Sequence, residues 1–307
     1  MSTTASSHMD DLMSRILSDE SVLRVKDVEN VRRKISRILE GGVEKLHVIS
    51  DFDSTMTRHF REDMSRNPTC HQVLSSGRMM SPELIVPSTN QFKRATEELY
   101  KKYFPIEMDT SLTIEEKMPY MVEWWSKAHE LVIGQKLTKN DIKQMLVDTP
   151  SKLREGMAEL IIQCKEKNIP LLIFSAGVGN IIEELLQTNN LLFPNMHIIS
   201  NVMQFNPETG ICDRFRKPEI HVFNKSEVTV RDLPYHDTIE NRPNVILLGD
   251  SAGDLQMSKG ISHEVCLTIG FLNLEIEKRL DAFIELYDIV VLYDGAADVV
   301  NWISEKL

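Results

Sequence analysis

The sequence is poor in cysteine and has no long apolar run. Its four cysteines are scattered without a C-x-x-C pair, at Cys70, Cys164, Cys212 and Cys266. That spacing indicates neither a zinc site nor a disulfide framework, and it favours reduced thiols in the cytosol. No stretch approaches the roughly 20 consecutive apolar residues that a membrane-spanning helix needs.

The first residues also lack the apolar segment of a signal peptide. Residues 1–9 are rich in serine and threonine, a composition that does not bury enough apolar surface to order a chain. We therefore expect residues 1–17 to be a disordered head and the protein to be cytoplasmic.

Basic residues are outnumbered. The 35 Lys and Arg residues stand against 46 Asp and Glu residues, which gives a net charge of −11. This balance disfavours a surface that binds nucleic acid polymers or anionic membranes, although a local site for one small anion is still possible. We expect a small-molecule partner and a monomer.

Hydrophobic patterning predicts an α/β protein. Short apolar runs alternate with amphipathic helices in two parts of the chain, 18–57 and 151–307. Because these runs are nearly continuous, they predict a Rossmann-like, mostly parallel sheet covered on both faces. No strand pattern occurs between Thr57 and Pro170, so we expect residues 58–150 to form an inserted helical cap. A first helix is expected from Ser18 or Asp19 to about Leu39.

Carboxylates follow the strand at Leu46–Ser50. Asp51 and Asp53 come directly after it, and Thr55 lies two residues further on. Two acids this close repel each other, so a positive group is needed beside them, and Mg²⁺ prefers such oxygen ligands. The alternative for this stretch by itself is an acidic surface turn.

Other predicted strands also end in polar residues. Ser175 follows the run that ends at Phe174, Lys225 follows another apolar stretch, and Asp250 and Asp254 follow the strand at 245–248. Parallel strands bring their carboxyl ends to one edge of a sheet, so these residues are expected to converge with Asp51.

The combination resembles the haloacid dehalogenase superfamily, and within it the cytosolic 5′-nucleotidase type III family. The resemblance rests on five segments that begin at Asp51, Glu115, Phe174, Ile220 and Ile246: Asp-Phe-Asp-x-Thr-x-Thr, Glu-Glu-Lys-x-Pro-Tyr-Met-Val-Glu-Trp, Phe-Ser-Ala-Gly, Ile-His-Val-Phe-Asn-Lys and Ile-Leu-Leu-Gly-Asp-Ser. It runs from about residue 24 to the C-terminus and is weakest over 58–91, where this chain carries extra residues.

The resemblance implies a role for each acidic group. Asp51 would be the nucleophile that forms an aspartyl-phosphate, and Asp53 the general acid and then base. Mg²⁺ would be held by the Asp51 side chain, the Asp53 carbonyl and Asp250. Asp254 would orient Lys225 or a metal-bound water.

Further positions would bind the phosphate and the base. The resemblance implies that Ser175 and the Ala176 N–H bind phosphoryl oxygens, while Lys225 offsets negative charge. In the cap it implies a base pocket formed by these residues: Glu107, Trp125, Ala128 and His71. The Trp125 and Ala128 pair is similar to the branch that accepts 7-methylguanosine monophosphate besides CMP and UMP.

Three readings stay open at this point. The first is a Mg²⁺-dependent 5′-nucleotidase that releases nucleoside and phosphate. The second is a nucleoside phosphotransferase that uses the same aspartyl-phosphate. The third is a non-catalytic protein that binds methylated cap nucleotides.

Overall fold

A seven-stranded sheet forms the centre of the computed structural model, which describes residues 3–76, 88–109, 111–226, 234–260 and 262–307. The strands of this sheet are β1 (Leu23–Val25), β2 (Leu46–Ser50), β3 (Leu171–Val178), β4 (Met196–Asn201), β7 (Asn244–Gly249), β8 (Val265–Leu272) and β9 (Ile289–Leu292). Their order is β1-β9-β8-β7-β2-β3-β4. Only β1 pairs antiparallel within it, so the predicted mostly parallel sheet is confirmed.

The two other strands of the described chain form a hairpin around residues 206–210. They are β5 (Met203–Phe205) and β6 (Cys212–Phe215). In the large sheet, every residue of β2 and β7 is buried. Continuous burial explains why the sequences of these strands are mostly apolar and do not alternate between apolar and polar residues.

Helices cover both faces of the sheet. They are α1 (Thr3–Ser18), α2 (Val28–Gly41), α3 (Cys70–Ser76), α4 (Ser88–Met108), α5 (Ile114–Gly134), α6 (Lys139–Asp148), α7 (Met157–Glu166), α8 (Gly179–Thr188), α9 (Pro234–Ile239), α10 (Ile276–Leu286) and α11 (Asp298–Glu305). Within the described part of the chain, none of them is long and apolar enough to cross a membrane.

The first predicted helix begins in the wrong place. The edge strand β1 occupies Leu23–Val25, and α2 begins only at Val28, with the Asp27 side chain accepting from the Asn30 N–H. Leu23 is buried against the sheet and β-branched Val25 pairs with Ile289. Pairing with β9 therefore overrides the helical spacing in this stretch.

The expectation of a disordered head over 1–17 is also wrong for its described residues, 3–17, because α1 packs on the core. Leu12, Met13 and Ile16 are almost fully buried, and Met9 packs against the same cluster. The four side chains recur at i, i+3, i+4 and i+7, which is one face of a helix. The Ser/Thr-rich composition of the first residues hid this pattern.

Between β2 and β3 the described residues are helical and add no strand to either sheet. Residues 58–150, called the cap below, contain α3 to α6, with α4 packed on α5. The cap rests on the rest of the chain, called the core, where α5 contacts β6 and α6 contacts α8. Part of the extended 58–91 segment, residues 77–87, lies outside the described residues.

The two connections between core and cap lie side by side. Thr57 bridges Leu153, and the Arg58 N–H donates to the Lys152 carbonyl at 3.0 Å. The buried Arg154 side chain closes this junction. Its guanidinium donates to the carbonyl oxygens of Thr55 (2.7 Å), Ser54 (2.6 Å) and Gly295 (2.7 Å) and forms an ion pair with Asp294 (3.1 Å).

Asp294 extends the same network to the start of the cap, since its carboxylate accepts from the backbone N–H groups of His59 (2.8 Å) and Phe60 (3.0 Å). Burial lowers the pKa of Arg154 to about 10, although Asp294 acts in the opposite direction. The guanidinium is therefore charged at neutral pH, and each of its buried partners depends on it.

Replacing Arg154 with methionine is expected to lower the free energy of unfolding by about 3–5 kcal/mol. The change leaves Asp294 and several carbonyl oxygens buried without their partner. Urea unfolding measures the difference. Arg15→Lys, at a side chain that is 42% exposed, serves as a control and should shift stability by less than about 0.5 kcal/mol. A loss below about 1 kcal/mol for Arg154→Met would contradict the assigned role.

Adjacent residues on α1 provide a second test. Ile16 is 1% exposed and Leu17 is 39% exposed. Ile16→Ala should therefore destabilise the protein by about 2–4 kcal/mol, because it opens a cavity under the helix. Leu17→Ala should cost less than about 1 kcal/mol in the same unfolding measurement. Equal, small effects would show that α1 does not belong to the core.

Candidate active site

The loop that follows β2, residues 51–57 and called the Asp51 loop below, is held in a tight non-standard turn. Asp51 remains attached to the sheet, because its N–H donates to the Leu248 carbonyl at 3.0 Å. Ser54 adopts a left-handed conformation with φ of 65°. Its N–H donates to Thr57 Oγ1 at 2.9 Å, and its carbonyl oxygen accepts from Arg154 and from Asn273 at 3.0 Å. Hydrogen bonds at both the N–H and the carbonyl of Ser54 thus stabilise a conformation that serine rarely adopts.

Lys225 connects the Asp51 loop to the end of β7. Its ammonium group forms a very short contact with Asp51 Oδ1 and donates to Asp254 Oδ1 at 2.9 Å. All three side chains are buried. Burial by itself lowers the pKa of Lys225, but Asp254 and Asp51 raise it above its usual value. Lys225 is therefore cationic and partly neutralises the two acids.

Asp254 is also hydrogen-bonded on its other oxygen. Oδ2 accepts from the backbone N–H groups of Asp250 (3.1 Å) and Ser251 (3.0 Å) and from the Ser251 hydroxyl (2.8 Å). The side chain therefore fixes both the turn after β7 and the position of Lys225.

Asp51, Asp250 and Asp254 form a cluster that could hold a metal ion. Each offers a carboxylate oxygen, and these atoms lie within 4.8 Å of one another. Burial raises the pKa of Asp51 to about 7, against the effect of Lys225. Burial and the charges of Asp254 and Asp51 raise the pKa of Asp250 well above its usual value.

Three carboxylates beside one ammonium leave an excess of negative charge, which a divalent cation would balance. The donors are all hard oxygens, as Mg²⁺ prefers. Because both oxygens of Asp254 already accept hydrogen bonds, the side chains better placed to hold the ion are those of Asp51 and Asp250.

The end of β3 lies beside this cluster. The strand continues to Val178 rather than stopping at Phe174, with an irregularity between these two residues. Ser175 and Ala176 therefore lie within an irregular strand end. The Ser175 hydroxyl is buried and accepts from the Gly177 N–H at 3.0 Å. Gly177 is tightly enclosed, since a Cβ atom there would lie 3.0 Å from Asp53 Oδ2.

Asp53 points toward a residue of the cap. Its Oδ1 accepts from the Cys70 N–H at 3.0 Å. Burial raises the pKa of Asp53 to about 6, while the hydrogen bond from the Cys70 N–H lowers it. A carboxyl group with a pKa near 6 exists in both protonation states close to neutral pH, as a general acid and base requires.

The cap residues expected in the base pocket face the core to different degrees. Glu107 lies near the end of α4. Burial raises its pKa to about 7; the charge of Asp254 acts in the same direction, and those of Lys117 and Lys225 act against it. The Trp125 indole N–H donates to the Ala176 carbonyl at 3.1 Å. Trp125 therefore reaches the irregular end of β3.

Trp124 points elsewhere and stacks on Tyr103 inside the cap, with ring centroids 5.8 Å apart. Trp125 faces the core instead, because successive side chains of an α-helix point about 100° apart.

The other expected positions are placed as follows. His71 stacks on His129 with ring centroids 6.4 Å apart, and burial lowers its pKa to about 4, so it is neutral. Ala128 is half-buried on α5, one turn after Trp125. Thr55 is fully buried, and its carbonyl oxygen accepts from Arg154.

Two residues of this region were not identified from the sequence. Arg154 gave no signal, because an arginine before a helix is ordinarily solvated. Cys70 lies in the segment Pro-Thr-Cys-His-Gln that ends at Gln72, yet only His71 was singled out from it. Cys70 could not be identified from the sequence because its contact with Asp53 forms only in the folded chain.

Comparisons with known proteins find relatives that match most of the chain. A family model described as pyrimidine 5′-nucleotidase (UMPH-1) matches residues 54–307. A 7-methylguanosine phosphate-specific 5′-nucleotidase of Gallus gallus is 40% identical over 285 residues, covering 92% of this chain and 95% of the relative. A Homo sapiens relative of the same description is 38% identical over 278 residues, covering 90% of this chain and 89% of the relative.

Solved structures give the same result for the fold. The crystal structure of cytosolic 5′-nucleotidase IIIB bound to cytidine superposes with a TM-score of 0.84 at 31% identity and covers 96% of each chain. A HAD family hydrolase from Salmonella enterica has a TM-score of 0.54 at 15% identity, covering 85% of this chain and 71% of the other. The second match shows the fold alone. The resemblance seen in the sequence is thus confirmed, and the chain belongs to the pyrimidine 5′-nucleotidase (UMPH-1) family.

Proposed function

We propose that this protein is a Mg²⁺-dependent 5′-nucleotidase that hydrolyses nucleoside 5′-monophosphates to nucleoside and phosphate. The observation that carries the proposal is the buried contact of Asp51 with Lys225 at the end of β2, beside Asp250 and Asp254. Family membership gives the reaction class, which is phosphoric monoester hydrolysis.

In the proposed first step, a carboxylate oxygen of Asp51 attacks phosphorus, and the bond from phosphorus to the 5′-oxygen breaks. Asp53 gives its proton to the departing 5′-oxygen, so that neutral nucleoside leaves and an aspartyl-phosphate remains. Asp53, now ionised, then takes a proton from water, whose oxygen attacks phosphorus and releases Asp51 and phosphate. The pKa of Asp53 near 6 supports both roles.

The phosphoryl oxygens would meet positive groups during both steps. Lys225 is fixed beside Asp51 by Asp254 and needs no reorganisation when charge develops. The Ser175 hydroxyl and the Ala176 N–H are the expected partners at the end of β3. Asp51, Asp250 and the Asp53 carbonyl would hold Mg²⁺, which supplies electrostatic stabilisation of the phosphoryl group when bound.

The cap is proposed to recognise the base. Glu107 is an acceptor, and a cationic base would favour its ionised form because opposite charges lower the pKa of a nearby carboxyl. The indole of Trp125 offers a large face for stacking, and Ala128 one turn away leaves room beside it. With the names of the vertebrate relatives, this supports 7-methylguanosine monophosphate as a substrate, besides CMP and UMP.

The phosphotransferase and the non-catalytic binder remain as alternatives, each with its own signature. Transfer of phosphate to an added nucleoside would show the first, because water and nucleoside compete for the same aspartyl-phosphate. Tight binding of nucleotide without turnover would show the second. A cytosolic location, as in the name of the structural relative, and a monomeric state stay predictions.

Asp51→Asn should lower phosphate release from 7-methylguanosine monophosphate by at least about 10³-fold, because an amide is a poor nucleophile. Phosphate release with saturating Mg²⁺ measures this loss. Asp63→Asn is the matched control, since Asp63 is exposed and serves only a local turn, and it should keep wild-type rates.

EDTA should abolish the wild-type activity and added Mg²⁺ restore it. Full activity in EDTA would exclude the proposed metal.

Trp125→Leu should raise KM for 7-methylguanosine monophosphate by about 5–30-fold and KM for CMP by less. The cationic base loses about 1–2 kcal/mol of cation–π interaction, which cytosine does not make. Trp124→Leu is the control, because Trp124 packs inside the cap; it should lower the unfolding midpoint and leave the ratio of the two KM values unchanged. Equal increases for both nucleotides in Trp125→Leu would show that this ring does not select the base.

A further inference from the structure

Cys70 is a cap residue that reaches the core. It begins α3, it is 2% exposed, and it lies among the side chains of the main apolar cluster. Its backbone N–H donates to Asp53 Oδ1 at 3.0 Å, across seventeen positions of the sequence. A buried thiol in such a cluster is ordinarily a small apolar filler, but the polar contacts of this one are specific.

Cys70 places its side chain beside the carboxyl group that its backbone N–H binds. The thiol is buried, and burial in apolar surroundings keeps a thiol protonated. In that form the thiol is a weak hydrogen-bond donor.

Gly177 makes this arrangement possible. A Cβ atom at that position would lie 3.0 Å from Cys70 Sγ and 3.0 Å from Asp53 Oδ2. Both atoms therefore occupy the space that any other residue would fill. The close packing of sulfur, carboxylate and glycine backbone restricts the rotamers that Asp53 can adopt.

We propose that Cys70 is a positioning residue that holds the Asp53 carboxyl toward the leaving 5′-oxygen and links that carboxyl to the strand end carrying Ser175. The proposal rests on the role given to Asp53 under the proposed function. The cap then acts on the chemistry as well as on the base, because one of its residues fixes the group that transfers the proton. An error of about 1 Å in such a group is enough to lower a rate by 10²-fold.

The test compares kcat and KM for 7-methylguanosine monophosphate in three variants. Cys70→Ala should lower kcat by about 10-fold or more and change KM by less than about twofold, since an interaction used only in the transition state is lost. Cys70→Ser should recover at least about a third of the wild-type kcat, because a hydroxyl is also a donor. Cys164→Ala makes the same change at a buried cysteine on α7 and should leave both constants within twofold.

Thermal unfolding of each variant separates loss of fold from loss of positioning. If Cys70→Ala does not fold, Cys70→Ser is compared with Cys164→Ser instead. The kcat of Cys70→Ser should then be about 1.5- to threefold lower than that of the wild type, and the kcat of Cys164→Ser should be unchanged. Unchanged kcat in both Cys70 variants, or an equal loss in the Cys164 variant, would overturn the proposal.

A double-mutant cycle tests whether Cys70 acts through Asp53. In the Asp53→Asn background, Cys70→Ala should change kcat by less than about twofold, because the group that it positions is gone. A full 10-fold loss in that background would also overturn the proposal. Absence of phosphate release by the wild-type protein would instead show that the proposed function itself is wrong.

Discussion

The contact of Lys225 with Asp51 and Asp254 is the constraint on which the site depends. Acids buried at the end of a sheet are unfavourable unless a positive group is close, and removal of one partner leaves the others uncompensated. A single ammonium group therefore has to lie between the end of β2 and the end of β7. Lys225 meets this need, and Asp254, which binds Lys225, also fixes the turn around Asp250. The same interaction therefore stabilises the ends of β2 and β7 and fixes the geometry of the candidate site.

Asp51, Ser175 and Asp250 could be predicted to approach one another because each follows an apolar run, and these runs form neighbouring strands of a parallel sheet. Lys225 was expected at another strand end, but it follows a turn over 221–224 and no strand. Arg154 and Cys70 could not be predicted in this way, since their partners are backbone carbonyls and a carboxylate that approach only in the folded chain. The start of α2 was misplaced because pairing of β1 with β9 overrides local spacing. Helix α1 carried a readable pattern, which the polar composition around it concealed.

The cap is attached to the core by different kinds of contact at different places. Trp125 donates to a carbonyl at the end of β3, and Cys70 donates to Asp53. His129 is stacked on Phe215 of the hairpin, 3.8 Å between centroids, and lies 3.3 Å from Glu219. Polar contacts thus surround the site, and an aromatic stack lies beside them. A substrate enclosed by these contacts would be shielded from water, which strengthens every electrostatic interaction around it.

The pairing of the two connections at Thr57 and Leu153 has a consequence for the history of this fold. Because the insertion leaves and re-enters the core at one point, its length adds little to the entropy of closing the chain, which grows only with the logarithm of loop length. Arg154 and Asp294 hold both connections and the Asp51 loop in place. Residues can therefore be gained or lost in other parts of the cap without moving the Asp51 loop. In the history of this fold, a lid that kept the contact of Cys70 with Asp53 could have changed to accept a new substrate.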